Sequence, residues 1–435
     1  MTAESYRDHV QELQRRTEEA LSVTGFEGLV IHSGTPFRYF ADDEDAPFHP
    51  TPHFAHWLPL RTPWNLLVIR PGERPLLINF APEDYWYEKL PLGNPYWAEP
   101  FEIKSVGKAD QVWEELPKNG RYAFHGDCPE LAGENGFAKD VINSEELVAR
   151  LDWNRSYKTG YEVDCIDEAS KLGAVAHKAA REAFESGASE LDTHYAYVQA
   201  LELTDNDLPY PSIVAFDSKG AILHYHNKKQ REGHVLLIDC GAAHQGYASD
   251  ITRTWTKPSC DSLFREMVER FDAMEKTLCA DVKPGLGFPE LHHTAHVRIG
   301  DLLHEAGVLK VAGEEAAGKG LTRPFFPHGL GHFLGIQVHD VAGHQKEPAG
   351  GTNTPPERYP FLRTTRAIEE HQVFTVEPGL YFIEMLLRDH REGENKDLFD
   401  WDLIERLAPF GGMRIEDNVV VTKDGHRNLT REYLP

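Results

Sequence analysis

From residue 5 to residue 24 apolar side chains recur at helical spacing, with Val10, Leu13 and Leu21 set among charged neighbours, and the pattern stops at Gly25. The strand-like run GLVIH (28–32) follows at once. Two more apolar runs, WNLLVIR (64–70) and PLLINF (75–80), are separated by Pro71, Gly72, Glu73 and Arg74, a turn composition that predicts a pair of adjacent strands. The first part of the chain is therefore expected to be a small α/β domain. A second strong helical pattern runs from Tyr161 to Ser186 and closes at Gly187. Strand-and-loop texture gives way to long helices around Asn154 to Lys158, so the expected domains are 1–156 and 157–435. Two later stretches, Gln345 to Arg363 rich in Pro and Gly and Arg388 to Asp402 rich in charge, are expected to be long loops acting as rims or lids.

The most informative stretch is VLLIDCGAAHQGYASDITRTW (235–255). Val235 to Ile238 predicts a buried strand, Gly241 and Gly246 permit a reversal, and the β-branched and aromatic make-up of ITRTW predicts a returning strand. Asp239 and Asp250 are then expected to face each other across the ladder. Two carboxylates held that close in an apolar core repel, and one must be protonated unless a cation lies between them. A divalent metal is the economical reading.

Bulk properties narrow the setting. A chain of 435 residues, 40% hydrophobic, exceeds the size at which one core stops growing, which agrees with two domains. Its net charge of -25, from 45 Lys plus Arg against 70 Asp plus Glu, opposes binding to nucleic acid or anionic lipid and adds to the attraction for cations. The five Cys (Cys128, Cys165, Cys240, Cys260, Cys279) are scattered and form no CxxC pair, as expected of free thiols in a reducing compartment. The N-terminal stretch shows no signal-peptide pattern, and no run is long enough to span a membrane. A cytoplasmic protein without nucleic-acid or membrane partners is the expectation.

Three further segments carry candidate chemistry. FFPHGLGHFLGIQVHD holds His328, His332 and His339, and its glycines let backbone approach a ligand or another strand. FTVEPGLYF places Glu377 inside an apolar strand stopped by Pro378 and Gly379, and RIEDNVVVT places Glu416 before a run of valines. An acidic residue flanked by β-branched residues is costly to bury unless it is paired or metal-bound. Four such carboxylates with an imidazole form an oxygen-rich set suited to two ions such as manganese(II), with cobalt or zinc as substitutes. Such a pair would generate a hydroxide at neutral pH and polarise a carbonyl.

Taken singly, each residue has a plainer reading: an Asp at a strand end as a turn or cap, a His near an apolar run as a satisfied core residue. His234, His244 and His344 lie in polar stretches and are expected at the surface; Asp42, Asp43 and Asp45 are read as a solvated acidic loop. An aspartic protease is excluded by the lack of DTG or DSG, and HExxH is absent. His328 and His332 have helical zinc-pair spacing, but the intervening GLG disfavours a helix.

In their order along the chain, IDCG…SDITRTW, FFPHGLGHFLGIQVHD, VEPG and GGMRIEDN resemble the pita-bread metallopeptidases, specifically the bacterial Xaa-Pro dipeptidases or prolidases. The similarity is to the subgroup also described as organophosphorus acid anhydrolases, and it covers essentially the whole chain. It implies an α+β protein, with an N-terminal creatinase-like domain and a C-terminal domain whose curved antiparallel sheet is covered by helices. It implies two metal ions held by Asp239, Asp250, His332, Glu377 and Glu416. Glu377 would also shuttle a proton from the bridging water to the leaving amine, and His339 would steady the tetrahedral intermediate. Arg414 would support the site electrostatically. His224 and His328 would contact the dipeptide and Arg363 would pair with its C-terminal carboxylate. Tyr210 would line the pocket for the N-terminal residue, completed by Asp43 of the partner subunit, so a homodimer is implied. Phe288 stands where related sequences can carry Tyr, which touches the leaving-group pocket.

The physical requirements of the substrate agree. Proline's tertiary amide offers no N–H, so its hydrolysis calls for an apolar pocket and a strong electrophile at the carbonyl. Alternatives are an Xaa-Pro aminopeptidase acting on longer peptides and, in a different class, a non-catalytic pita-bread module that binds a partner. Side hydrolysis of organophosphorus esters or fluorides is a further expectation, since an activated hydroxide attacks phosphorus as well as carbon.

Overall fold

The computed structural model describes residues 2–86, 92–93, 95–117 and 119–435. They form two compact units: residues 1–155, 159–164 and 347–351 in one, and 156–158, 165–346 and 352–435 in the other. The protein is mixed α+β, as the sequence implied.

The smaller unit opens with the helix Ala3–Thr24. Thr2 and Ser5 satisfy each other's backbone amides in a capping box, which fixes where the helix starts. Its apolar stripe, Tyr6, Val10, Leu13 and Leu21, is buried. Five strands follow in the spatial order 102–106, 76–80, 66–69, 28–32, 122–125. The strands Leu66–Ile69 and Leu76–Phe80 pair antiparallel, Leu66 opposite Ile78, so the turn at Pro71–Arg74 works as its composition indicates. The two outer pairings are parallel.

In the larger unit, the helix Gly160–Glu185 from Cys165 onward and the helices Ser262–Ala280 and Phe288–Glu305 accompany two antiparallel sheets. One sheet orders its strands 252–256, 235–239, 213–216; the other orders 373–376, 417–422, 425–428. A ribbon of Gly379–Tyr381 with Gly412–Arg414 lies between the strands of the second sheet in sequence. The core packs Phe264, Phe271, Phe288, Leu291, Phe374 and Val419, none more than 1% exposed. Each such side chain contributes about 1.5–3 kcal/mol relative to exposure. The sheets are stitched where Glu416 N donates to Thr252 O at 3.0 Å and Arg253 Nη2 donates to Asp417 Oδ1 at 2.8 Å.

The structure corrects four expectations. Asp239 and Asp250 are not cross-strand partners: Thr252 stands opposite Asp239, and Asp250 lies just before that strand begins. Their approach comes instead from the reversal that precedes the strand. Glu377 lies between the strands Val373–Val376 and Gly379–Tyr381, because Pro378 breaks the ladder there. The charged stretch after Arg388 is largely helical, with Glu384–Glu392 and Trp401–Leu407 flanking a short turn of helix. Phe399 within it and Leu387, Ile404 and Leu407 at its flanks are buried, and that packing outweighs the charge-rich composition. The Pro/Gly-rich stretch is also interrupted, by strands Gln345–Glu347 and Gly350–Thr352.

Candidate active site

The strand Val235–Asp239 ends at Asp239, its carboxylate held from two sides. Tyr210 Oη donates to Oδ1 at 2.9 Å and Arg414 Nη2 donates to Oδ2 at 2.6 Å. The same Tyr210 hydroxyl lies 2.5 Å from Asp250 Oδ1, so one phenol bridges the two aspartates. Two residues on, Thr252 Oγ1 donates to Glu416 Oε2 at 2.6 Å and accepts from Arg414 Nε at 3.2 Å. The β-type spacing of Asp250 and Thr252 thus serves two ends of one acidic cluster.

The imidazole arrives from the GLGH segment, which runs beside the strand leading to Glu377. Thr375 N donates to His332 O at 3.0 Å, and Glu377 N to Leu330 O at 2.8 Å. This approach needs glycine: a Cβ on Gly331 would lie 1.9 Å from the Thr375 carbonyl oxygen. It also explains why the His328–His332 spacing forms no helix. His332 Nδ1 donates to Phe333 O at 3.0 Å, which leaves Nε2 facing Asp250 Oδ2 at 3.4 Å and Glu377 Oε1 at 3.5 Å.

Ligand atoms of Asp250, His332 and Glu416 all lie within 4.8 Å of one another. Glu377 joins this group through His332, and Asp239 through Tyr210. Burial, reinforced by the neighbouring carboxylates, pushes Glu416 well above its ordinary pKa and raises Asp239, on which Arg414 acts in the opposite direction. Burial likewise pushes Glu377 up to about 7. Burial opposes charge on His332, yet Asp250 and Glu377 outweigh it and its pKa is raised. The protein's own cations do not neutralise this cluster. Its donors, carboxylate oxygens with one imidazole nitrogen, suit hard or borderline divalent ions.

Around the cluster, Arg414 Nη1 donates to Tyr381 Oη at 2.7 Å, and Tyr381 Oη lies 3.0 Å from His328 Nε2. His328 Nδ1 donates to Gly329 O at 2.8 Å, so Nε2 is the acceptor and the phenol the donor. Burial, with Arg414 second, pushes His328 down to about 3 and keeps this ring neutral. The ring of His339 stands 4.4 Å from that of His332, and burial with the His332 charge lowers it to about 4. A cavity of about 320 Å³ lies against His328, lined also by His292, His296, Phe326, Tyr359 and Leu362.

Other expected residues are placed differently. Tyr210 reaches the aspartates themselves, beyond a role in a pocket wall. His224 and Arg363 are exposed, and the Arg363 charge helps to lower both His328 and His339. Phe288 is fully buried against Phe374. Asp43 belongs to an exposed loop of the smaller unit. His234 is exposed as expected, whereas His244 and His344 are half-buried, the latter with Nε2 2.6 Å from Leu362 O. Tyr381, Thr252 and Thr375 were not anticipated. Thr252 carried a usable signal, two residues after Asp250; Tyr381 carried none beyond lying in an apolar run.

Residues 164–423 match the model of metallopeptidase family M24, and residues 4–153 match that of the Xaa-Pro dipeptidase N-terminal domain. The chain therefore belongs to metallopeptidase family M24, with the N-terminal domain of the Xaa-Pro dipeptidases. An Xaa-Pro dipeptidase of Pseudoalteromonas atlantica is 42% identical over 437 residues, covering 99% of this chain and 98% of its own. One from Aeromonas hydrophila is 40% identical, covering 98% of each. Among solved structures, proline aminopeptidase P II from Yersinia pestis superimposes with a TM-score of 0.76 at 22% identity, covering 98% of this chain and 96% of that one. Zinc-substituted aminopeptidase P from Escherichia coli, in complex with product, gives a TM-score of 0.73 at 23% identity, covering 98% and 95%. These likenesses show the pita-bread fold. Family membership brings divalent-metal dependence.

Proposed function

We propose that this chain hydrolyses Xaa-Pro dipeptides, using two divalent cations, manganese in the first place with cobalt or zinc as substitutes. Asp239, Asp250, His332, Glu377 and Glu416 would hold them. The observation that carries this reading is the buried cluster itself: ligand atoms of Asp250, His332 and Glu416 lie within 4.8 Å of one another, and burial pushes Asp239, Glu377 and Glu416 toward protonation. Bound there, the cations would lower the pKa of a water and polarise the scissile carbonyl.

The residues divide the remaining work. Glu377, at about 7, is matched to taking a proton at neutral pH and giving it to the leaving nitrogen. His339, neutral above about 4, offers an N–H to the developing oxyanion. Arg414 opposes the burial that raises Asp239 and, through Tyr381, fixes the tautomer of His328. With both nitrogens engaged, His328 offers the substrate its ring face. The cavity beside it gives an apolar wall to a pyrrolidine. The exposed guanidinium of Arg363 supports recognition of the C-terminal carboxylate, which favours dipeptides.

The same reading includes a homodimer in which Asp43 of the partner subunit closes the pocket for the N-terminal residue, a catalytic domain beginning near residue 157, and side hydrolysis of organophosphorus fluorides. A cytoplasmic location is supported by five buried free cysteines. Among the described residues no helix is long and apolar enough to cross a membrane. Two measurements test the core of the proposal. Protein purified without chelator should carry about two ions per chain, and it should cleave Gly-Pro in preference to a tripeptide with Pro second. Preference for the tripeptide would turn the reading toward aminopeptidase P, whose fold the chain shares.

A further inference from the structure

His339 stands on a segment that leaves the cluster after Leu334 and returns to it at Asp340. The outgoing arm is pinned to the strand Val373–Val376: Leu334 N donates to Val373 O at 3.0 Å, and Phe333 bridges Phe374. Asp340 makes the return, its backbone N donating to Phe333 O at 2.8 Å. That closure buries the Asp340 carboxylate. Oδ1 accepts from Val341 N at 2.9 Å, and Oδ2 accepts from Lys158 Nζ at 2.8 Å, both side chains being 1% exposed. Lys158 in turn has a fixed base, since its backbone N donates to His371 O at 2.7 Å. Gly335 leaves room for the pair; a Cβ there would lie 2.3 Å from Asp340 Oδ2 and 2.9 Å from Lys158 Cε. A buried carboxylate sits where its counter-charge is, because separating the two leaves an uncompensated charge in low dielectric. Lys158 thus fixes Asp340, and Asp340, the next residue in the chain, fixes the backbone that aims His339.

We propose that Lys158 is a positioning residue for the reaction, setting the place of His339 through its buried ion pair with Asp340. It acts on no reacting atom itself, and the inference rests on the role proposed above for His339. Nothing in the local sequence SYKTG marks it, since a lysine at a domain boundary ordinarily reads as a solvated linker residue.

A double-mutant cycle tests this. Lys158→Met should lower kcat for Gly-Pro by about tenfold or more while metal content is unchanged, as expected for a misplacement approaching 1 Å. In a His339→Ala background the same substitution should change kcat by less than about twofold, because the group it positions is gone. Equal losses in both backgrounds, or no loss in either, would overturn the proposal. Should Lys158→Met fail to fold, Lys158→Met with Asp340→Asn removes both buried charges and goes through the same cycle with the same expected outcome. Crystal structures of the parent and variant supply a readout that needs no turnover: the His339 ring should shift on the order of 1 Å against His332, and an unmoved ring refutes the idea. A parent without Xaa-Pro hydrolysis would remove the proposed function, and the ring position would still decide this inference.

Discussion

Glu416 and Asp417 are adjacent, both essentially buried, and they belong to two acidic clusters with opposite electrostatics. Asp417 accepts from Arg253 Nη2 at 2.8 Å, from Arg431 Nε at 2.5 Å and from Asn428 Nδ2 at 2.8 Å. Burial works against its charge, yet the two guanidiniums win and its pKa is lowered. The Glu416 carboxylate accepts from a threonine hydroxyl, and its pKa is raised well above the ordinary range. Alternation along the strand sends one carboxylate to each side. On one side two guanidiniums hold Asp417 in its charged form; on the other the one guanidinium, Arg414, pairs with Asp239 and leaves Glu416 raised. The compensation is local even on the structural side. Arg431 is shared among Asp417, Glu275 and Asp272, and burial with the Asp417 charge still pushes Glu275 up to about 8.

The largest expected effect lies at Glu377. Glu377→Gln should lower kcat for Gly-Pro by on the order of 10³-fold while most bound metal is kept, measured by steady-state kinetics beside metal analysis. Near-normal turnover would take the proton shuttle away from it. On the compensated side, Arg431→Met should destabilise the fold by about 3–5 kcal/mol, because Asp417 loses a buried partner. Chemical denaturation reads this, and added manganese should not restore the loss.

Glu416→Gln should act in the reverse sense and sharpens the contrast. It relieves repulsion, so the metal-free protein should melt a few degrees higher, by about 1 kcal/mol, while affinity for manganese falls. A lower melting point would mean that the cluster is already neutralised from within. The pH dependence of the metal-free protein follows the same sign. The folded-state pKa of Glu377, about 7, exceeds its ordinary value of 4.5. The native state therefore binds more protons between those values, and stability should fall on the order of 2 kcal/mol as pH rises from about 4.5 to 7. With metal bound the trend should reverse, since the ligands must be deprotonated. Parallel trends in both forms would sink the comparison.

The smallest effect belongs to the rim, outside both clusters. Arg363→Ala should raise KM for Gly-Pro by about tenfold with kcat little changed, as for loss of a binding contact common to ground and transition states. A fall in kcat alone would refute the carboxylate clamp.

Several features were legible because they are local. The helix from Ala3 to Thr24 and the strand pair 66–69 and 76–80 follow from period and turn chemistry. Glu416 stands out as an acid entering an apolar run, a cost that composition alone makes visible. Other features were not legible because they depend on which segments meet. Asp250 looked like the cross-strand partner of Asp239, but the ladder sets Thr252 there. The charge-rich stretch Arg388 to Asp402 reads as a loop, yet Leu387, Ile404 and Leu407 at its flanks reach the core and hold helices there. Tyr381 and Lys158 look ordinary in their own segments, and only the return of distant chain gives each its partner.

By itself the sequence determined the inventory: buried acids in apolar runs, an imidazole among glycines and the elements that carry them. Periodicity and transfer cost are properties of neighbouring residues, and a linear reading has access to both. Tertiary structure alone decided which acids share a space and which receive an arginine. Coulomb energy depends on distance through the fold, so Glu416 and Asp417, inseparable in the chain, end with opposite pKa shifts.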